Sequence, residues 1–130
     1  MKLHHIGIAV VSIDRYYNNF LKPLFGYDSI SETMLVEQQH SKIVFAENGQ
    51  SVKLELIEAI DENSPTYNLL KENNGGLYHL GYVSENFEED IALLKSKKFM
   101  LISNKDGVAF LMSPTFELYE LLNKQAGWHN

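Results

Sequence analysis

The sequence predicts an α+β fold: two tandem βαβββ modules forming a curved mixed sheet with a central metal-binding cleft. Two echoes within the chain and the element pattern between them predict it. Residues 77–84, LYHLGYVS, repeat residues 3–10, LHHIGIAV, at an offset of 74, with Leu77 on Leu3, His79 on His5 and Gly81 on Gly7. Residues 107–122, GVAFLMSPTFELYELL, match residues 42–57, KIVFAENGQSVKLELI, without a gap at an offset of 65. That match puts Phe110 on Phe45, Glu120 on Glu55 and Leu121 on Leu56. Self-similarity of this kind marks one supersecondary unit used twice.

The first module covers residues 3–59. Residues 3–10 are short, apolar and β-forming, so they read as a strand. Ser12 or Asp14 can cap the helix that follows, IDRYYNNFLKPLF, whose apolar stripe is Ile13, Tyr17, Phe20, Leu21 and Leu24. Pro23 and Gly26 are expected to close it. A weaker strand is expected around Ser31–Val36. Residues 41–47 and 51–59 then form a hairpin across the turn Asn48-Gly49.

Residues 60–76 form a linker with a short helix, expected to start at Ser64-Pro65 and stop at Asn74-Gly75-Gly76. The second module covers residues 77–122. After its first strand, Ser84 or Asn86 caps a helix, with Asn86 and Glu89 spaced for a capping box. Phe87, Ile91, Leu94 and Leu93 supply its apolar face. Strands follow at 99–103, 108–112 and 116–122, separated by Lys105-Asp106-Gly107 and Pro114-Thr115. One domain, residues 1–124, therefore holds both modules, and 123–130 is a tail in which Trp128 is a candidate for docking on the body or a second subunit. Two units of about 60 residues would each be marginal alone, so they are expected to pack together.

Composition narrows the function classes. The chain has 130 residues, 45% apolar and 22% charged, which is ordinary for a globular domain. No apolar run approaches the roughly 20 residues needed to span a bilayer, and no signal peptide is expected. With no cysteine there is neither a disulfide framework nor a thiolate metal site, which fits a cytoplasmic protein. A formal charge of −6 argues against nucleic acid or an anionic membrane as partner. No Walker loop, dinucleotide fingerprint or nucleophile elbow is present.

Four residues stand out because the repeat places them in pairs: His5 with His79, and Glu55 with Glu120. Alternate residues of a strand share a face, so His5 and Gly7 lie together, as do His79 and Gly81. A lone histidine in an apolar strand is usually a satisfied core residue, and a strand glutamate often faces solvent. A carboxylate on an apolar face is expensive unless paired or metal-bound, and both pairs fall under one repeat. Two imidazoles and two carboxylates suit a borderline divalent ion and leave room for water or substrate. His4 and Tyr78 fall on the opposite face and are assigned to packing or to supporting the ligands. His40 and His129 read as surface residues, and Glu58 and Glu117 as facing away from their neighbouring candidates.

The segments HHIGIAV, VKLELIEA, GGLYHLGYV and FLMSPTFELYELL resemble the vicinal-oxygen-chelate superfamily of glyoxalases, bleomycin-resistance proteins and dioxygenases. Within it they are most similar to methylmalonyl-CoA epimerase-like proteins, over about Leu3 to Leu122. The resemblance implies a glyoxalase-like fold and one divalent ion per chain (cobalt, nickel, zinc or manganese), held by His5, Glu55, His79 and Glu120. It implies an isomerase or epimerase that works through an enolate on an acyl-CoA or similar α-substituted carbonyl compound. Glu120 then matches one acid/base carboxylate as well as a ligand. An ungapped match puts Gln38 at the position of the other, with Glu37 beside it, so Glu37 is the second catalytic candidate through a one-residue bulge. The alternatives are a glyoxalase I-like lactoylglutathione lyase, acting on a glutathione adduct, and a non-catalytic protein that binds a small molecule such as an antibiotic. A homodimer is the expected assembly.

Overall fold

A computed structural model describes residues 1–49 and 52–127. The chain divides into two compact units, residues 6–78 and residues 1–5 with the chain from 79 onward. The division falls inside two strands, β1 (Lys2–Ala9) and β6 (Gly76–Ser84).

In the unit of residues 6–78, the end of β1 leads into helix α1 (Ile13–Tyr16). Ser12 caps it through its hydroxyl, which accepts the Arg15 amide at 3.2 Å. Glu58 accepts the Ile13 amide at 2.8 Å and so serves a second orphan donor of the same helix end. The helical run covers the expected residues 13–25 and closes at Gly26 as expected, with Pro23 inside its last turn. It passes through a wider π-helical turn, Tyr17–Leu21, into α2 (Lys22–Phe25) and ends at Gly26 in the left-handed region. Proline has no amide hydrogen and crowds the carbonyl four residues back. The wider turn, in which the Lys22 amide bonds the Tyr17 carbonyl, accommodates it. Ile13, Tyr17 and Leu21 are buried against Ile8, Val44 and Leu56, whereas Phe20 and Leu24 are exposed.

The expected strand at 31–36 is instead two short pieces, β2 (Ser29–Ile30) and β3 (Met34–Val36), both antiparallel to β4 (Ser41–Glu47). Strand β4 pairs with β5 (Lys53–Ala59) in the expected hairpin, with Phe45 opposite Glu55 and Val44 opposite Leu56. The order is β2, β4, β5, β1. The linker helix α3 (Tyr67–Asn73) starts two residues later than expected. The Ser64 hydroxyl accepts the Thr66 amide at 3.4 Å, one residue ahead of the helix, and also bonds the Ser41 hydroxyl at 2.7 Å and the Thr66 hydroxyl at 3.2 Å in a buried chain. Asn74 ends α3 in the left-handed region, and Gly75 follows at φ 111°. A Cβ at Gly75 would lie 2.3 Å from the Ala9 carbonyl oxygen, so only glycine fits there.

In the other unit the order is β6, β9, β8, β7. Strand β6 runs parallel to β9 (Leu118–Asn123), and β9 is antiparallel to β8 (Val108–Met112), so the sheet is mixed. Strand β7 (Met100–Lys105) turns into β8 through Asp106 and Gly107, both at positive φ. Helix α4 (Phe87–Ser96) crosses from β6 to β7, with three acids in its first turn and Lys95 in its last. The expected capping box does not form. The Asn86 side chain makes no cap bond; the Ser84 hydroxyl accepts the Asn86 amide and donates to Asp90. Phe87 and Ile91 pack on Ala109, Leu111 and Leu121, with Leu94 at the margin, while Leu93 is exposed. Phe116, expected in the last strand, sits in the preceding turn at φ 67°. Trp128 and His129 lie outside the described residues.

The second echo holds in three dimensions. Each unit buries the same repeat positions beneath its helix: Val44, Ala46 and Leu56 in one, Ala109, Leu111 and Leu121 in the other. Phe110 stands opposite Glu120 as Phe45 stands opposite Glu55. The two glutamates therefore occupy the helix-free face of their own sheets.

Candidate metal centre

His5 on β1, His79 on β6 and Glu120 on β9 come together in one unit. The parallel register sets Gly81 beside Glu120, and His79, two residues before Gly81, shares its face. The His5 Nε2 lies 2.8 Å from the His79 Nε2 and 2.9 Å from the Glu120 Oε1. The third side of this triangle, His79 Nε2 to Glu120 Oε1, is 3.3 Å. All three residues are buried, with His5 1%, His79 5% and Glu120 8% exposed. The two rings meet edge to face, and Phe110 packs on His79 in the same manner at 5.6 Å between centroids.

Two imidazole nitrogens and one carboxylate oxygen thus converge on a single point of the buried interior. Glu120 Oε1 is buried and receives no well-directed hydrogen bond, although both imidazoles stand near it. Ligand atoms bonded to one divalent ion at about 2.1 Å and at right angles stand about 3.0 Å apart. The three separations straddle that value. The donor set, two imidazoles and a carboxylate, is that of a site for a borderline divalent ion. The residues present fit such an ion.

Electrostatics point the same way. Burial by itself would raise the Glu120 carboxyl, but the neighbouring His5 and His79 imidazoles outweigh it and hold the group down at about 2. Glu120 is therefore ionised throughout the ordinary pH range, as a ligand must be.

Glu55 is 7% exposed on β5, in the other unit. Glu37 is not on a strand with a bulge. It opens a 3-10 turn, Glu37–Gln39, after β3, and both Glu37 and Gln38 are exposed. The turn forms because His40 takes the left-handed conformation at φ 48° and its amide bonds the Glu37 carbonyl. His40 is a surface residue paired with Asp61 at 3.2 Å. Glu117 accepts from the hydroxyls of Thr115 and Ser113, which lower its pKa, and it serves the turn before β9. His4, given either packing or support of the ligands, touches a candidate ligand: its Nδ1 is 2.8 Å from the Nδ1 of His5. The sequence signal for His4 was its adjacency to His5 within an apolar strand. An apolar hollow lined by Tyr82, Leu94, Phe99, Tyr119 and Glu120 lies in the same unit. Among the described residues no helix is long and apolar enough to cross a membrane.

The chain is 33% identical to the uncharacterized protein YqjC of Bacillus subtilis (strain 168), across 99% of this chain and 96% of that one. The crystal structure of hypothetical protein BH1468 from Bacillus halodurans C-125 is 30% identical, with a TM-score of 0.80, and the match covers 99% of this chain and 98% of that one. Methylmalonyl-CoA epimerase from Mycobacterium tuberculosis shares the fold at a TM-score of 0.79 and 18% identity, over 98% of this chain and 92% of that one. The sequence profile of the glyoxalase/bleomycin resistance protein/dioxygenase superfamily matches residues 4–111. The chain belongs to the glyoxalase/bleomycin resistance protein/dioxygenase superfamily.

Proposed function

We propose that this protein is a metal-dependent epimerase or isomerase that moves the proton next to a thioester carbonyl, with an acyl-CoA as the substrate class. The observation that carries the reading is the buried triangle of His5 Nε2, His79 Nε2 and Glu120 Oε1. The fold shared with methylmalonyl-CoA epimerase supports the substrate class.

His5, His79 and Glu120 hold the ion in this reading, and Glu55 is the fourth ligand. Support for Glu55 is its burial and its register, since it faces Phe45 as Glu120 faces Phe110. A divalent ion bound there supplies positive charge against the negative charge that develops on a carbonyl oxygen as its α-proton leaves. Glu120 is ionised and accepts that proton on its carboxylate. Phe110, packed on His79, holds the imidazole in place and keeps that side of the site apolar. Glu37 is the candidate for the second carboxylate, returning a proton to the opposite face of the carbon.

One observation favours a second reading. Glu37 is exposed in a turn and not fixed on a strand. Chemistry with Glu120 as the only base, as in a glyoxalase I-like lyase on a glutathione hemithioacetal, needs no second carboxylate. Proton exchange in D₂O separates the two. The proposal expects metal-loaded protein to exchange the α-proton of a chiral 2-methyl-branched acyl-CoA and to invert the centre, with inversion lost in Glu37→Gln. Turnover of the hemithioacetal with no exchange into any acyl-CoA would replace the epimerase by the lyase. Neither reaction in a protein that carries its ion would leave only a binding function.

A further inference from the structure

We propose that His4 is a positioning residue: its Nδ1 accepts a hydrogen bond from Nδ1–H of His5 and so fixes the tautomer that leaves His5 Nε2 as a ligand. The inference rests on the metal reading of the cluster and adds to it a residue that does not itself reach the ion. The two Nδ1 atoms are 2.8 Å apart, and the rings stand nearly perpendicular, at 87°. Both residues are buried, His4 8% and His5 1% exposed.

The chemistry follows from the imidazole inventory. A neutral imidazole has one N–H and one lone pair. Nε2 of His5 points at the His79 Nε2 and the Glu120 Oε1. If that nitrogen is to give its lone pair to a cation, the proton of His5 resides on Nδ1. The Nδ1 of His4 stands at hydrogen-bond distance from that proton and then acts as acceptor, so His4 carries its own proton on Nε2. One contact thereby sets both tautomers. Without it, the nearby Glu120 carboxylate favours the other tautomer of His5, with the proton on Nε2 where the ion should sit. A hydrogen bond to the far nitrogen of a ligating histidine also fixes the ring's orientation and raises its basicity. The neighbour in sequence can reach because β1 carries both residues at the start of a strand, and Gly81 gives the His5 ring its space.

The test uses the full chain loaded with metal. Zinc-loaded, ¹⁵N-labelled protein is expected to show scalar coupling between the Nδ1 nuclei of His4 and His5, with the proton on the His5 nitrogen. A protonated His4 Nδ1 in that sample would overturn the proposal without any substitution. In parallel, cobalt(II) affinity is read by chelator competition, and the visible spectrum of the bound cobalt is recorded. His4→Phe, which keeps a ring and removes the acceptor, is expected to weaken binding about 10- to 100-fold and to shift the spectrum. His4→Asn, whose amide oxygen can stand near the lost Nδ1, is expected to recover most of both. Equal affinity and spectrum in wild type and His4→Phe would overturn the positioning role while leaving the metal site intact. Equal loss in both variants would reduce His4 to packing. A wild type that takes up no cobalt or zinc would overturn the metal reading itself.

Discussion

Gly81 lies flat against the imidazole of His5. A Cβ built on Gly81 would stand 2.3 Å from Cε1, 2.6 Å from Nε2 and 2.7 Å from Nδ1 of that ring. Gly81 is in ordinary strand backbone, so its value here is the absent side chain and not an unusual dihedral. The strand that carries His79 thus leaves the slot that His5 fills. Gly81→Ala is expected to push the ring off the triangle, cutting divalent-metal affinity by at least about tenfold, while overpacking costs on the order of 1–3 kcal/mol of stability. Chelator competition and urea unfolding of the metal-free protein measure the two separately. Unaltered affinity would mean that His5 is not held by this contact.

The triangle also predicts metal content. Protein purified without chelator is expected to carry about one divalent ion per chain by elemental analysis. His79→Ala removes one of the three converging atoms, and the affinity loss is expected to exceed the 10- to 100-fold typical of losing a supporting partner. Stripping the ion is expected to lower the melting temperature, since a ligand that binds only the folded state stabilises it by mass action. Full metal content in His79→Ala would remove His79 from the ligand set.

The depressed pKa of Glu120 gives a pH signature in the metal-free protein. Burial raises this carboxyl, the His5 and His79 imidazoles lower it further than burial raises it, and it settles at about 2 against an ordinary 4.5. A carboxyl whose folded pKa is depressed binds fewer protons folded than unfolded. It adds stability above its unfolded pKa, and that stability is lost as pH falls from about 4.5 towards 2. Glu120→Gln cannot titrate. The stability gap between metal-free wild type and Glu120→Gln is expected to narrow across that window, as read by thermal unfolding at matched ionic strength. A gap that stays constant below pH 4.5 would mean that the carboxylate gains nothing from its imidazole neighbours.

The sequence disclosed most where the repeat spoke and least where a single backbone detail decided the outcome. The gapless second echo is reproduced in the Phe45–Glu55 and Phe110–Glu120 registers and in the matched core positions. Strand alternation then places both glutamates on the helix-free face. Pro23 sits inside the helix and does not end it, because the π-helical turn just before it accommodates the ring, while Gly26 closes the helix as expected. The segment 31–36 holds only a three-residue strand, Met34–Val36. Its apolar residues Leu35 and Met34 are exposed, and the left-handed His40 turns the chain just after it. Ser64 reads as a cap from its place before proline, and its hydroxyl does accept the Thr66 amide, but the helix starts only at Tyr67 and the same hydroxyl is tied to Ser41, distant in sequence. The His4–His5 contact was hidden because alternation puts neighbours on opposite faces, whereas a ring nitrogen near Cβ can still reach across the strand.

Glu55 and Glu120 hold equivalent positions in the two hairpins, each opposite a phenylalanine and each less than a tenth exposed. A buried carboxylate is costly unless a partner compensates it. If the repeat serves one ion with one carboxylate from each copy, Glu55→Gln is expected to lose metal affinity by a factor comparable with Glu120→Gln. Glutamine matches glutamate in size, so the metal-free protein should unfold near the wild-type temperature at neutral pH. Isothermal titration with cobalt(II) into both variants decides the matter. Wild-type affinity in Glu55→Gln beside a large loss in Glu120→Gln would show that only three residues bind the ion. The buried carboxylate of Glu55 would then serve the fold of its own unit.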